Sequence, residues 1–350
     1  MQIICLIISS IFLGGVLGKS LSQQPILTLK TKNGQVYDCE DFYKQPAFDH
    51  PALKNDISKV RLPMVHFGTK PKNIGLKEGG CPPGTVPILR VNTREPGEPI
   101  PPPPPAPQEH CSAVIQTNLD DSNRKFFKSN AAISIYRPQV QPTQWSSSRI
   151  KLLNGADSIE AGWMVNPSLF IDHDTHLYAK FTAGQQGCIN LQCPGFVQVS
   201  KDVPLGVVPE KYSAIGGVQY TWNISVEKHS DDGNWWVTIS NNGRLYPIGY
   251  WPKTLFTSLA DVANQVQWGG EISNPGPISP PPEMGSGMKA VYNTRFSSFL
   301  RHVTVDTDIS KDVEPQGTYK AFNCPDLYTV LDFGHSGDYW GRLMVYGGYN

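Results

Sequence analysis

Val218 to Glu227 reads VQYTWNISVE, Asp231 to Asn234 reads DDGN, Trp235 to Ile239 reads WWVTI, and Asn241-Asn242-Gly243 follows. Bulky and polar residues alternate in the first stretch, a turn cluster interrupts, and a second strand-like run returns to another turn. Strict alternation is the period of a half-buried strand, and Asp-Gly and Asn-Gly steps supply the backbone for tight reversals. The composition extends that reading outward. The 350 residues include 32 Gly, 31 Pro and 10% aromatics, which suits many short strands and turns. Only Lys253 to Val266 reads as a helix. More than 200 residues of strands and short turns predict an all-β fold, an antiparallel sandwich or barrel.

Charge excludes one class of partner. The 30 Lys+Arg balance the 30 Asp+Glu, so no broad electrostatic footprint exists for nucleic acid or an anionic membrane surface. Ile3 to Leu17 is nearly unbroken apolar sequence followed by Gly18, Lys19 and Ser20. That is short for a bilayer span and fits a cleaved secretory signal over residues 1–18, with no membrane attachment expected after its removal. Export agrees with the cysteines: Cys5 leaves with the signal, and Cys39, Cys81, Cys111, Cys188, Cys193 and Cys324 form an even set suited to disulfides. Cys188 and Cys193 enclose four residues, a spacing that suits a local bridge. Zinc is the competing use, but no Cys-x-x-Cys or histidine cluster accompanies them. Asn223-Ile224-Ser225 is a glycosylation sequon.

The seam of the chain is Glu95–His110, EPGEPIPPPPPAPQEH. Consecutive prolines favour extended, stiff polyproline II geometry, which makes residues 96–110 a linker. Ahead of it, residues 19–95 form a small module in which Asn33-Gly34 predicts a type I′ hairpin. Cys39 and Cys81 stand at its two ends, where a bridge would staple a meagre core. Residues 111–350 form the large module.

Common hydrolase signatures are missing. Gly334-His335-Ser336-Gly337 only resembles a nucleophile elbow, no phosphate loop occurs, and His173 and Ηis176 sit in turn-like surroundings that read as a solvated turn rather than a metal site. Neither a metal nor another cofactor is expected. Two glutamates stand in more suggestive company. Glu160 lies in SIEAGW and Glu271 in QWGGEI, each among small, apolar and aromatic neighbours without another charge. An acid so placed can face a cleft, and paired carboxylates can activate water or protonate a leaving group. Trp163 and Trp268 are the aromatics expected to line that cleft.

These segments carry a resemblance. Glu-Ala-Gly-Trp at 160–163 and Trp-Gly-Gly-Glu at 268–271 resemble the two signature regions of the neprosin family of plant glutamic peptidases. GCINLQCPGFVQVS at 187–200 and PEMGSG at 282–287 are similar to it too, while DCEDFYKQPAFDHP at 38–51 and GCPPGTVPILR at 80–90 resemble its activation peptide. The resemblance implies a secreted zymogen whose propeptide inhibits it, an all-β catalytic domain that is an antiparallel β-sandwich of two large sheets, a Glu160/Glu271 dyad and cleavage after proline in peptides or proteins. It also implies bridges Cys188–Cys193 and Cys39–Cys81. Relatives typically end in a Gly/Asn-rich tail with a final cysteine, whereas this chain stops at Gly347-Gly348-Tyr349-Asn350, so Cys111 and Cys324 either bridge to each other or are both free. The destination is extracellular, with cell wall or vacuole as variants.

Carboxylates about 4 Å apart repel by roughly 4 kcal/mol at an effective dielectric near 20, or about three pKa units. The pair is therefore expected to share one proton and to work at acidic pH. Two rival readings use other chemistry. A catalytically silent sandwich would bind cell-wall polysaccharide or protein through exposed tryptophans such as Trp235 and Trp236. A glycoside hydrolase also uses two carboxylates, but would show denser acidic and aromatic clustering.

Overall fold

The alternating run builds a hairpin. With strands numbered along the chain, β11 (Thr221–Lys228) pairs antiparallel with β12 (Trp235–Asn241), from Asn223 opposite Ser240 to Lys228 opposite Trp235. Gly233 closes the turn at φ +72°, a left-handed conformation that glycine adopts without a Cβ clash. On β11, Trp222, Ile224 and Val226 point into the core, as the period of two requires.

The computed structural model describes residues 25–54, 75–76, 79–90, 108–118, 124–241, 244–276 and 279–349. Among them two large antiparallel sheets pack face to face. The eight-stranded sheet runs β10 (Val197–Gln198), β13 (Arg244–Trp251), β12, β11, β5 (Phe126–Ser134), β15 (Ser298–Thr307), β18 (Arg342–Gly348) and β17 (Tyr328–His335). The seven-stranded sheet runs β16 (Thr318–Phe322), β4 (Gln108–Thr117), β14 (Gln265–Pro275), β6 (Trp145–Asn154), β7 (Asp157–Val165), β8 (His176–Ala183) and β9 (Gln186–Ile189). Their inner faces make one core that includes Trp163, Trp222, Trp235, Trp251 and Trp268. The fold class expected from the sequence is the one observed.

Several local expectations need correction. Lys253–Val266 is no helix: a short 3-10 turn covers Lys253–Leu255, and Gln265 already belongs to β14. The cause is tertiary. Asp157 Oδ2 accepts the backbone N–H groups of Thr257 at 2.8 Å, Ser258 at 2.7 Å and Leu259 at 3.2 Å. A carboxylate that gathers three successive amides removes the donors a helix would use. Asn33-Gly34 does make a hairpin, but the loop between β1 (Leu27–Lys30) and β2 (Val36–Asp41) is longer than two residues. Gly34 N–H donates to Thr31 at 3.1 Å, Thr31 N–H donates to Gln35 at 2.8 Å, and only Gly34 has positive φ. That is a type I turn with a glycine bulge rather than type I′. The linker ends sooner than residue 110, since β4 starts at Gln108. The apolar leader and the proline run of 101–107 lie outside the described residues.

The small N-terminal module adds β3 (Thr85–Leu89) to β1 and β2. Cys39 and Cys81 are bonded inside it, Cys188 bonds Cys193, and Cys111 on β4 bonds Cys324 just beyond β16. The last pair resolves the open alternative in favour of a bridge. The module seats on the outer face and edge of the eight-stranded sheet. Phe42, Phe48, Leu53 and Val86 pack with Val197, Val199, Trp236 and Tyr250. Its Gln45 imitates a strand: Oε1 accepts Gln198 N–H at 2.7 Å and Nε2 donates to the Gln198 carbonyl at 3.1 Å. Edge β10 is thereby covered by a side chain.

Two further expectations fall on this sheet. Trp235 is wholly buried, with Nε1 donating to the Leu259 carbonyl at 2.7 Å, and Trp236 lies beneath the small module. Neither is an exposed platform for polysaccharide. Asn223 sits in mid-strand between β5 and β12, with its Oδ1 buried. A sequon serves a glycan from a surface loop, and this position is not one.

Candidate active site

Neighbouring strands β14, β6, β7 and β8 carry the site on the outer face of the seven-stranded sheet. Register fixes who meets whom. Glu271 pairs with Ser147, Glu160 pairs with Lys151 on one side and Lys180 on the other, and Arg149 pairs with Gly269 and with Gly162. Directly paired residues share a face, and every second residue along a strand does too. Glu271, Arg149, Lys151, Glu160, Tyr178 and Lys180 therefore converge, although 111 residues separate the two glutamates.

The geometry bears this out. Arg149 Nε lies 3.0 Å from Glu271 Oε2 and 3.4 Å from Glu160 Oε2, so one nitrogen is within ion-pair distance of both carboxylates. Lys151 Nζ is 3.5 Å from Glu160 Oε2, Lys180 Nζ is 3.6 Å from its Oε1, and Tyr178 donates its hydroxyl proton to Oε1 at 3.3 Å. The Glu160 side chain is 5% exposed and that of Glu271 21%; Glu271 faces solvent and Glu160 lies beneath lysine side chains.

Electrostatics follow from this packing. Burial alone would raise the Glu271 carboxyl, but Arg149, Lys151 and Lys180, with the Arg149 hydrogen bond, hold it down at about 2. Burial opposes the Arg149 charge, yet Glu271 and Glu160 outweigh it and raise its pKa. Burial and the neighbouring Arg149 lower Lys151. Burial, seconded by Glu160, pushes the Tyr178 phenol well up, so it acts as a donor. The two carboxylates are not bare: both lie within ion-pair distance of one Arg149 nitrogen, which offsets part of their mutual repulsion.

Trp163 and Trp268 are not cleft walls. Both are fully buried on the inner face; Trp163 Nε1 donates to the Ser134 carbonyl at 2.8 Å and Trp268 Nε1 to Ser129 Oγ at 2.9 Å. Each stands three residues from its glutamate, an odd offset that sends the two side chains to opposite sides of the sheet. The histidine turn also differs from expectation. His176 is buried at the start of β8, with Nε2 2.7 Å from Asp172 Oδ1 and Nδ1 2.8 Å from the Gly206 carbonyl. Gly334–Gly337 forms the end of β17 and its turn, with His335 paired to Glu314. Among the described residues no group of three or more His, Cys, Asp or Glu is placed to hold a metal ion, and no helix is long and apolar enough to cross a membrane.

The neprosin family profile matches residues 142–349, and the neprosin activation peptide profile matches residues 28–95. The chain belongs to the neprosin family. It is a peptidase of the glutamic class, and the module seated on β10 and β13 is its activation peptide, the intramolecular inhibitor of a zymogen. Three solved structures are similar at 9% identity, each over 70% of this chain and 100% of the other: scytalido-glutamic peptidase with a transition-state-analogue inhibitor (TM-score 0.38), scytalido-glutamic peptidase with a peptide-based transition-state analogue (0.36), and SCP-B, of the Eqolisin family, with the tripeptide Ala-Ile-His (0.34). Scores of this size carry no residue from those enzymes to this neprosin-family chain.

Among the described residues, the activation peptide's hydrogen bonds to the neprosin domain run to Gln198, Lys201, Asp202, Gly206 and His176. Gln198, Lys201 and Asp202 lie on or just after edge β10 of the eight-stranded sheet, while His176 opens β8 of the seven-stranded sheet and Gly206 N–H donates to the Leu177 carbonyl on that strand. Sequence reasoning missed Arg149, Lys151, Tyr178 and Lys180. A signal for the first two was present in WSSSRIKLLN at 145–154, where two cations at i and i+2 interrupt a strand-like run.

Proposed function

We propose that this zymogen matures to an endopeptidase that hydrolyses peptide bonds after proline at acidic pH, with Glu271 and Glu160 as the catalytic pair. One observation carries the reading: two glutamates remote in sequence meet on one face, their Oε2 atoms 3.0 Å and 3.4 Å from the same Arg149 nitrogen.

Glu271, ionised and the more exposed, is the base. It takes a proton from a water whose oxygen adds to the peptide carbonyl carbon while the carbonyl electrons move onto oxygen. Glu160 in its acid form donates a hydrogen bond to that developing oxyanion. The proton on Glu271 then passes to the leaving nitrogen as the C–N bond breaks. Glu160 must be uncovered for this, and its cover includes Lys151 and Lys180, long flexible side chains 20% and 39% exposed.

Three disulfides support a route through an oxidising compartment, so the mature enzyme acts outside the cytosol, in secreted fluid, cell wall or vacuole. The test is cleavage of a proline-containing peptide by the matured protein at about pH 3–4, beside a glucan control. Cleavage after proline, lost in Glu160→Gln and in Glu271→Gln and insensitive to serine, cysteine and metal inhibitors, is the expected result. Peptide cleavage that persists in both variants rejects the pair.

A further inference from the structure

We infer that Arg149 is the positioning residue of the glutamate pair: its guanidinium sets the spacing of the two carboxylates and divides their roles. This rests on the Glu160/Glu271 reading above.

Arg149 is held as a fixed part rather than a surface charge. Its side chain is 3% exposed, so it acts through the glutamates and not on substrate. On both neighbouring strands the residue opposite it is glycine. A Cβ on Gly162 would collide with the Ser148 carbonyl, and Gly269, at φ +141°, would put one against the Ala113 carbonyl. From β7 and β14 the directly paired positions thus add no side chain beside Arg149, and the side chains that reach its Nε are Glu160 and Glu271. Its far end is fixed too. Both Nη atoms lie 3.4 Å from Gln267 Oε1, and Gln267 Nε2 donates to Gln116 Oε1 at 2.8 Å. A planar group anchored at one edge presents its Nε in one direction.

The two carboxylates meet that nitrogen unequally. Glu271 Oε2 accepts a hydrogen bond from it. Glu160 Oε2 lies at 3.4 Å but accepts no hydrogen bond, and it is buried. A proton on that oxygen breaks no hydrogen bond, only ion-pair contacts with Arg149 at 3.4 Å and Lys151 at 3.5 Å, whereas a proton on Glu271 Oε2 displaces the hydrogen bond from Arg149. The asymmetry favours Glu271 as the ionised partner and Glu160 as the acid. Other charged and titratable groups facing the pair are Lys151 on β6, and Tyr178 and Lys180 on β8; β4 presents Ser112 and Gln116, which carry no charge. The lysines crowd Glu160, and the hydrogen-bonded cation on Glu271 is Arg149.

The experiment uses the full chain as Arg149→Gln and Arg149→Lys beside Glu160→Gln and Glu271→Gln. Each precursor is matured with immobilised wild-type enzyme, which is then removed. Measured are kcat and KM on a proline-containing peptide from about pH 2 to about pH 7, with Tm at each pH. Arg149→Gln is expected to lower kcat by about 100-fold, to change KM by less than about threefold, and to move the acid limb of kcat/KM upward by about one pH unit or more. Arg149→Lys is expected to recover part of kcat and keep the limb low. A purely structural arginine would lower Tm and yield without moving the limb. Folded Arg149→Gln with kcat within about threefold of wild type and an unmoved limb overturns the inference. Should Arg149→Gln fail to fold, Arg149→Lys at full wild-type kcat overturns it. A wild-type acid limb above about pH 4 overturns it whatever the variants do. If both glutamate variants are active the catalytic pair itself falls; if they are dead while the arginine variants match wild type, only the inference does.

Discussion

The two faces of the seven-stranded sheet differ in almost everything except the strands that make them. On β7, Glu160 and Trp163 are three residues apart, and on β14 so are Trp268 and Glu271; in each strand the tryptophan enters a dry core and the glutamate a charged groove. The inner face gains its stability from buried apolar area, which is insensitive to pH. The outer face holds five charged groups whose mutual arrangement depends on protonation. A sequence motif that looks like one site is thus two half-sites with separate physical duties, divided by the pleat.

The sharpest way to break that division is on the groove side. Glu160→Gln or Glu271→Gln is expected to cost about a thousandfold or more in kcat/KM, in the range general acid–base groups supply, with the fold retained and Tm near neutral pH lowered in Glu271→Gln, which leaves buried Arg149 without its hydrogen-bonded carboxylate. Peptide hydrolysis and circular dichroism on the same samples check both halves of the statement. A variant that instead lost its fold would mean that the outer face also carries the core.

The mirror experiment is on the dry side. Trp163→Ala or Trp268→Ala removes a fully buried ring and strands its indole partner, Ser134 carbonyl or Ser129 hydroxyl. Large-to-small changes of this kind cost about 3–5 kcal/mol, read as a lower midpoint in urea. The folded fraction should keep its KM for a proline peptide. A KM raised tenfold with unchanged stability would return the tryptophans to the substrate cleft.

A smaller effect separates the faces by pH. The Glu271 carboxyl is held at about 2 against an ordinary 4.5. A carboxyl lowered in the folded state stabilises it above its ordinary value, and that contribution drains away as pH falls toward the folded value. Between about pH 4.5 and pH 2 the wild-type Tm should therefore fall more steeply than that of Glu271→Gln, and the two slopes should agree above that window. Parallel slopes throughout would assign the acid lability to other carboxylates.

How much of this was legible in the sequence depends on the range of the interaction concerned. The all-β fold and the β11–β12 hairpin followed from alternation and turn residues, which are local. The bridge Cys111–Cys324 needed the β4–β16 pairing across 213 residues, and the false helix at 253–266 needed Asp157, about a hundred residues upstream. The tryptophan error was different in kind. The odd offset of three was in plain view, and treating both glutamate motifs as strands would have sent Trp163 and Trp268 inward. Arg149 and Lys151 were equally readable as strand residues of one parity, but nothing local tied their strand to β7 and β14. That required the sheet order.

The least effect concerns the other sheet, at a half-buried mid-strand position whose amide oxygen is covered. Asn223 lies opposite Ala132 on β5 and Ser240 on β12, so its backbone is committed on both sides, and Oδ1 is buried without a hydrogen-bond partner. Once folded, the chain offers no loop from which this amide could carry a sugar. Glycosidase treatment of the exported protein should leave its mass at this peptide unchanged. Asn223→Thr introduces a β-branched, strand-compatible residue and removes the amide oxygen that lost its water without gaining a donor. Its Tm should equal or exceed that of the parent, by an amount worth about 1 kcal/mol at most. A glycan found at Asn223, or a clear loss of stability in Asn223→Thr, would mean that this stretch of β11 is exposed, and that the covering seen on the eight-stranded side is not the counterpart of the open groove across the core.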